Sequence, residues 1–478
     1  ALVSKTRCRE FESLDPCKLK KRMKKILIAA LSVLTTGCGI YNKYERPDLG
    51  TVQADSLYRA DAAPDTASSI ASLGWEELFT DPCLQSLIHR GLEANTDLQT
   101  AALRVKEAQA TLMSSKLAYL PSLQLDPQGN LSSFDGSKTQ KTYSLGGSAS
   151  WEIDLFGKLT NAKRGARAAL LESEAYRQAM QTQVIATVAD SYYALLMLDE
   201  QVRVTTQTAE SWREYVKSLH ALMNAGEADR ATLSQAEASR LSAESSLLSL
   251  QRQVAEQENA LCVFIGEVPH RLERSTLDNQ QFPDRMSVGL PIELLSRRPD
   301  VRQAEASLMQ AFYATNSARS AFYPSITLSG SAGWTNSGGA AITNPGAWLL
   351  QAVGSLVQPL FNRGQNIANL KIAKAQQEEA VLAFKQSLLD AGQEVNNALI
   401  QWQTAREQIL LDMEQVKQLE TTVSDTRLLM QYGTVNYLQV LTARQSLLSA
   451  QLTLASDRYS EIQGVINLYH ALGGGADQ

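Results

Sequence analysis

The chain repeats itself. Residues 96–123, TDLQTAALRVKEAQATLMSSKLAYLPSL, align without gaps on residues 299–326, PDVRQAEASLMQAFYATNSARSAFYPSI. Asp97 falls on Asp300, Ala101 on Ala304, Ala108 on Ala311 and Pro121 on Pro324. Further along, DLFGK (154–158) falls on PLFNR (359–363), AGEADRATL (225–233) on YGTVNYLQV (432–440) and LCVFIG (261–266) on LYHALG (468–473). Two halves therefore share one plan: helix, strand, strand, long helix, tight turn, long helix. Proline lacks the N–H a helix needs and pushes the residue before it toward extended geometry. Pro121 and Pro324 thus each end a helix and start a strand.

The strands read from alternation. Leu123, Leu125 and Leu131 alternate with Gln124, Asp126 and Asn130. Tyr143, Leu145, Ala149, Trp151, Ile153 and Leu155 alternate with Ser144, Ser148, Ser150, Glu152 and Asp154. Ile326, Leu328, Ala332 and Trp334 alternate with Ser325, Thr327, Ser329 and Ser331. A period of two gives one apolar and one polar face. The fourth segment, Trp348 to Phe361, alternates less cleanly and is read as a strand because the repeat demands it. Segments of about ten residues with apolar-out, polar-in faces and aromatics near their ends suit transmembrane β-strands. Two solvated β-hairpins are the plainer reading of the strands taken alone.

The helices read from heptads. Val184, Val188, Ser191, Leu195, Leu198, Val202 and Thr205 recur at spacings of four and three. Val381, Phe384, Leu388, Ala391, Val395, Ala398, Trp402, Ala405 and Ile409 do the same. Leu233, Ala236, Ala243, Leu247, Leu250, Val254, Leu261 and Phe264 form a third stripe, and Leu441, Leu448, Leu452, Ala455, Tyr459, Ile462 and Ile466 a fourth. Such stripes predict antiparallel coiled coil. No proline interrupts residues 160–223, so the first long helix would run roughly 90 to 100 Å.

Four transmembrane strands cannot close a barrel, for which about eight is the minimum. An open edge in lipid leaves each unpaired backbone group costing several kcal/mol. If these strands span a membrane, several copies must donate them.

The N-terminus reads as a targeting segment. A basic stretch, Lys18 to Lys25, precedes an apolar run, Ile26 to Leu34, too short to span a bilayer, and then Thr35, Thr36, Gly37 and Cys38. This resembles a bacterial lipoprotein signal, in which the cysteine thiol is acylated and becomes the mature N-terminus. The departure is Thr35, where that signal favours Leu; Leu34 stands one step earlier. An ordinary secretory signal with an incidental cysteine is the other reading. Residues 1–37 are thus expected to be a signal peptide with an upstream extension before Met23. Residues 38–74, with Pro47 and Pro64, read as a lipid-anchored tether. The first repeat spans 75–286, the second 287–473, and 474–478 form a tail. Of five cysteines, Cys83 and Cys262 alone would remain beside a lipidated Cys38. They make no disulfide framework; two buried free thiols are expected, a single bridge between them being the other reading. Beyond the signal no run of 18 apolar residues predicts a transmembrane helix.

This plan resembles the TolC-type outer membrane factors, specifically the lipoprotein subfamily serving multidrug efflux. The stretch VGLPIELLSRRPDVRQAEASLMQAFYATNSARSAFYPSITLSGSAGW (288–334) carries the resemblance most strongly. YERP (44–47), WEELFTDPCLQSLI (75–88) and YGTVNYLQVLTARQSLLSAQ (432–451) also fit. The resemblance implies a mixed α/β membrane protein: a homotrimer whose three chains share a twelve-stranded transmembrane β-barrel, four strands each, continuing into a long α-helical coiled-coil barrel. It implies a passive exit duct in the outer membrane, extending into the periplasm and working with a periplasmic membrane-fusion adaptor and an inner-membrane resistance-nodulation-division pump. It places a periplasmic gate at Gln439 and Thr442, where the family often carries acidic side chains and this chain has none. It makes the hairpin tips, with Gly226, Asp229, Gly433 and Asn436, the adaptor-docking surface; a plain turn is the other reading of those tips.

Chemistry is otherwise missing. His89, His220, His270 and His470 show no metal-ligand spacing, and no phosphate loop, dinucleotide fingerprint, HExxH or GxSxG is present. No enzyme activity, cofactor or metal is expected beyond the covalent lipid on Cys38. RRPD (297–300) reads as a helix start with Pro299 in its first turn and Asp300 favoured by the helix dipole. A net charge of −5 without a basic–aromatic patch gives no reason to expect nucleic acid. The alternatives are a type I protein-secretion channel and a periplasmic coiled-coil structural lipoprotein.

Overall fold

The computed structural model describes residues 42–47, 73–133, 135–136, 139–280, 282, 298–335, 347–432 and 437–475. Cys38, Gly433 and Asn436 lie outside the described residues, as does most of the tether. The elements in chain order are α1 (Trp75–Leu78), α2 (Pro82–Ala94), α3 (Thr96–Leu117), β1 (Ser122–Ser132), β2 (Gln140–Ile153), α4 (Lys158–Asn224), α5 (Arg230–Phe264), α6 (Pro299–Ser320), β3 (Ser325–Thr335), β4 (Ala347–Val357), α7 (Gln365–Gln431) and α8 (Tyr437–Ala471). The repeat is written into their lengths: α3 and α6 have 22 residues each, α4 and α7 have 67, and α5 and α8 have 35.

Both prolines do what their chemistry requires. α3 stops at Leu117 and β1 starts one residue after Pro121; α6 stops at Ser320 and β3 starts one residue after Pro324. Two strand ends fall short of expectation. β2 stops at Ile153, because the Asp154 carboxylate turns back to cap α4, accepting from Leu159 N at 3.1 Å and Thr160 N at 2.8 Å. β4 stops at Val357, two residues before Pro359, which cannot donate to a ladder.

The chain forms two compact units, and each draws on both repeats. The first holds the described residues 42–46 with 111–167 and 309–378, and so the sheet. Its strands are antiparallel in the order β1-β2-β3-β4. The register aligns Leu123 with Ala149, Leu145 with Trp334, Trp151 with Leu328, Ile326 with Leu356 and Ala332 with Leu350. One face is thus apolar across all four strands, while Gln124, Ser148, Ser331 and Gln351 share the other. β4 is the mixed strand: Val353 and Val357 align with Ser329 and Ser325 on the polar face. In the same unit Tyr44 N donates to the Tyr313 hydroxyl at 3.4 Å, and its ring meets Phe312 edge-on. The YERP segment is therefore held against α6.

The second unit, residues 47–110, 168–308 and 379–478 where described, is helical. Its core follows the heptads. Val184, Val188, Leu195, Phe384, Leu388, Ala391, Val395, Ala398 and Ala405 are buried, as are Leu261, Ile462 and Ile466. Gly464 of α8 lies so close to α7 that a Cβ there would stand 2.9 Å from the Trp402 backbone. Cys83 and Cys262 are both free, but only Cys262 is buried. Asp81 caps α2 through Cys83 N at 2.9 Å and also accepts from the Tyr192 hydroxyl (2.7 Å), Gln280 and Ser275. Burial pulls the Asp81 carboxyl upward, and these four hydrogen bonds outweigh it and hold it below the usual range.

The RRPD segment starts α6 at Pro299, as expected. Its arginine does more. Arg298 is 3% exposed and donates to Asp300 (2.9 and 2.5 Å), to Glu394 of α7 (2.7 Å) and to the Ala471 carbonyl (2.8 Å) at the end of α8. One guanidinium ties three helices together. It keeps the Asp300 carboxyl below its ordinary range although burial, the largest influence, pulls the other way.

Candidate functional site: the hairpin tips

α4 ends in a Schellman turn. Gly226 N bonds to the Met223 carbonyl at 3.0 Å and Glu227 N reaches back to Leu222 at 2.9 Å. The turn needs a left-handed residue, and Gly226 supplies φ +81. Asp229 then caps α5, accepting from Thr232 N at 2.7 Å. These backbone and hydroxyl hydrogen bonds lower its carboxyl pKa. Gln439 and Thr442 sit in the first turns of α8, both exposed. The Thr442 hydroxyl donates to the Leu438 carbonyl at 2.9 Å.

An apolar cluster brings the two tips together. Trp212, Tyr215, Val216 and Leu219 of α4 pack with Leu233 and Ala236 of α5, and Met223, Ala228, Met430, Tyr437 and Leu441 close over them. The Tyr215 and Tyr437 rings stack with centroids 5.2 Å apart and planes 8° from parallel. Arg444 of α8 lies over both Trp212 (5.6 Å) and Tyr215 (5.2 Å). Its Nη1 donates to the Ser211 hydroxyl at 2.6 Å. Each contact is a modest cation–π or stacking term; together they fasten the second hairpin to the first. Burial pushes the Tyr437 hydroxyl up to about 12 and drives Tyr215 in the same direction, so both rings stay neutral.

The sequence reading put Gly226 and Asp229 at the first tip and the gate residues Gln439 and Thr442 near the second; in the structure the end of α4 and the starts of α5 and α8 meet on this one cluster. It did not single out Trp212, Tyr215, Tyr437 or Arg444. A signal existed: Trp212 and Tyr215 are three apart on a largely polar stretch of α4, so they share a face. Of the histidines, His220 faces Glu237 across α4 and α5 at 3.2 Å, and His270 lies 3.6 Å from the Cys262 sulfur. Among the described residues no group of three or more His, Cys, Asp or Glu side chains converges as a metal site.

A family model described as outer membrane efflux protein matches residues 87–267 and 290–474, one stretch in each repeat. The cation efflux system protein CusC of Escherichia coli O6:H1 is 30% identical over 468 residues, covering 97% of this chain and 100% of that protein. The toluene efflux pump outer membrane protein TtgC of Pseudomonas putida is 31% identical over 465 residues, covering 94% and 95%. The open-state MtrE outer membrane channel of Neisseria gonorrhoeae superposes with a TM-score of 0.80 at 30% identity, covering 91% of this chain and 98% of that one. The chain belongs to the outer membrane efflux protein family and is an outer-membrane channel component of an efflux system, a transport protein and not an enzyme.

Proposed function

We propose that three copies pair edge to edge into one twelve-stranded barrel, and that the assembly is the passive exit duct of a tripartite pump for drugs and other small molecules. The observation that carries this is the sheet. Its apolar face crosses all four strands, Leu123, Leu125, Leu350 and Leu356 are 66–84% exposed, and β1 and β4 each have one edge unpaired among the described residues. A sheet with a bare edge is not stable in lipid, and closure through copies removes it. The cargo and the energy come from an inner-membrane pump reached through a periplasmic adaptor, for which the turns at Gly226 and Asp229 are the docking surface. Cys38 carries the lipid that anchors the chain.

Native mass in mild detergent, joined to intact-mass analysis, tests this reading. Trimers of chains starting at an acylated Cys38 are expected; monomers indifferent to detergent would refute it. At the gate, Gln439 and Thr442 make the constriction neutral. Planar-bilayer recordings should show weak cation selectivity that rises when Gln439→Asp and Thr442→Asp are introduced. Strong selectivity abolished by neutral changes at these positions would count against a neutral gate.

A further inference from the structure

Between α4, α7 and α8, beside the Trp212 cluster, lies a cleft of about 400 Å³. Two guanidinium groups, Arg427 of α7 and Arg444 of α8, line it. Arg444 spends one nitrogen, Nη1, on Ser211. Its Nε is buried and bonds to no described atom. Arg427 is exposed and forms no ion pair among the described residues. The Ser211 hydroxyl accepts from Arg444, which leaves its own proton to give to a third group. Thr208 and Ser424 add hydroxyls to the wall. The one carboxylate in the wall, Glu420, lies on α7 two turns before Arg427, roughly 10 Å along the helix.

We infer that this cleft is an oxyanion site, taking sulfate, phosphate or an organic carboxylate between Arg427 and Arg444 with a hydrogen bond from Ser211. Two like charges facing one cleft repel each other, and a bound anion turns that repulsion into two attractions. Burial first, and Arg427 after it, already weaken the Arg444 guanidinium's hold on its proton. Planar guanidinium forks suit carboxylate and phosphate geometry. The bound anion would link α7 to α8 and, through Ser211, to α4. This inference does not depend on the duct reading, since every group named belongs to one chain.

The test is a titration of the full chain in detergent, at constant ionic strength, followed by thermal unfolding. Sodium sulfate, sodium phosphate and sodium benzoate are each compared with sodium chloride. Saturable stabilisation by the oxyanions and none by chloride is expected. Arg427→Gln should weaken the apparent affinity by about tenfold, and Glu420→Gln should strengthen it. Equal affinity for sulfate and benzoate assigns a small inorganic oxyanion, and tighter benzoate assigns an organic acid; either outcome supports the site. Arg444→Gln is the more direct variant but also removes packing on Trp212, so Arg427 and Glu420, both exposed, decide the matter. Identical curves for chloride and the oxyanions, or an Arg427→Gln protein that binds like the parent, would overturn the inference.

Discussion

The two long hairpins are copies of one another and differ most where they matter most. α4 starts at Lys158 and α7 at Gln365, and α5 starts at Arg230 and α8 at Tyr437, the same offset in both pairs. On that offset Trp212, Tyr215 and Leu219 of the first hairpin correspond to Leu419, Thr422 and Thr426 of the second. The first tip therefore builds an aromatic core of its own. The second has one half-buried leucine and two threonines in those places, and Leu410, Leu411, Met413 and Tyr432 stand 50–81% exposed. It gains its packing by resting Met430, Tyr437 and Leu441 on the first. On the returning helices the copies agree: Ala236 and Ala443 are both buried. A duplicated scaffold has thus been divided into a self-supporting hairpin and a dependent one.

Substitutions at matched positions should expose that division. Trp212→Ala is expected to cost about 3–5 kcal/mol through the cavity it leaves, read by thermal or denaturant unfolding. Leu419→Ala, its counterpart, removes a side chain that is only half-buried and should cost about 1 kcal/mol; equal losses would erase the distinction. Arg298→Ala should fall between them at about 1.5–3 kcal/mol, the scale of hydrogen bonds to charged groups, with Arg298→Lys rescuing only part because a compact ammonium lacks the planar fork that grips Asp300 while also reaching Glu394 and the Ala471 carbonyl.

A smaller, pH-dependent effect lies within the second hairpin. Asp457 of α8 faces Asp412 of α7, and one Asp412 oxygen is buried with no donor among the described residues. Burial first, then the Asp412 carboxylate, raise the Asp457 carboxyl from 3.8 to about 6. The folded form therefore holds a proton that the unfolded form has already released. Its contribution is full below about pH 4 and is lost as pH climbs through about 6. Relative to Asp457→Asn, the parent should lose melting temperature from pH 4 to pH 7 and run parallel above; a constant difference would break this account. The subtlest contrast is dynamic. Amide exchange should be faster over residues 415–431 than over 208–224, because local opening follows the density of buried contacts.

Much of this was legible in the chain. Heptads located the cores of all four long helices, because a coiled coil buries the same positions turn after turn. Two prolines and a period of two located three strands, and the repeat supplied the fourth. β4 resisted its own pattern because Val353 and Val357 put apolar groups on the polar face. The stripes marked Leu233, Ala236 and Leu441, but their union with Trp212, Tyr215, Tyr437 and Arg444 was not legible, because these come from different helices that only folding brings together and no periodicity links Arg444 to Trp212. The same holds for Asp412 and Asp457, each of which reads alone as a solvated helix carboxylate. Arg298 was seen as part of a helix start, while its reach to Glu394 and Ala471 is a fact of three dimensions.

The central claim is that the outer edges of the sheet meet between copies, and cysteine cross-linking tests it most directly. Within one chain β1 and β4 are separated by two strands, about 14 Å at the usual spacing, too far for a disulfide. A panel pairing one cysteine from β1, at Gln124, Gln128 or Asn130, with one from β4, at Gln351, Val353 or Ser355, should give under oxidation a ladder ending at a covalent trimer. A chain that stays monomeric across the whole panel in its native membrane would contradict the shared barrel.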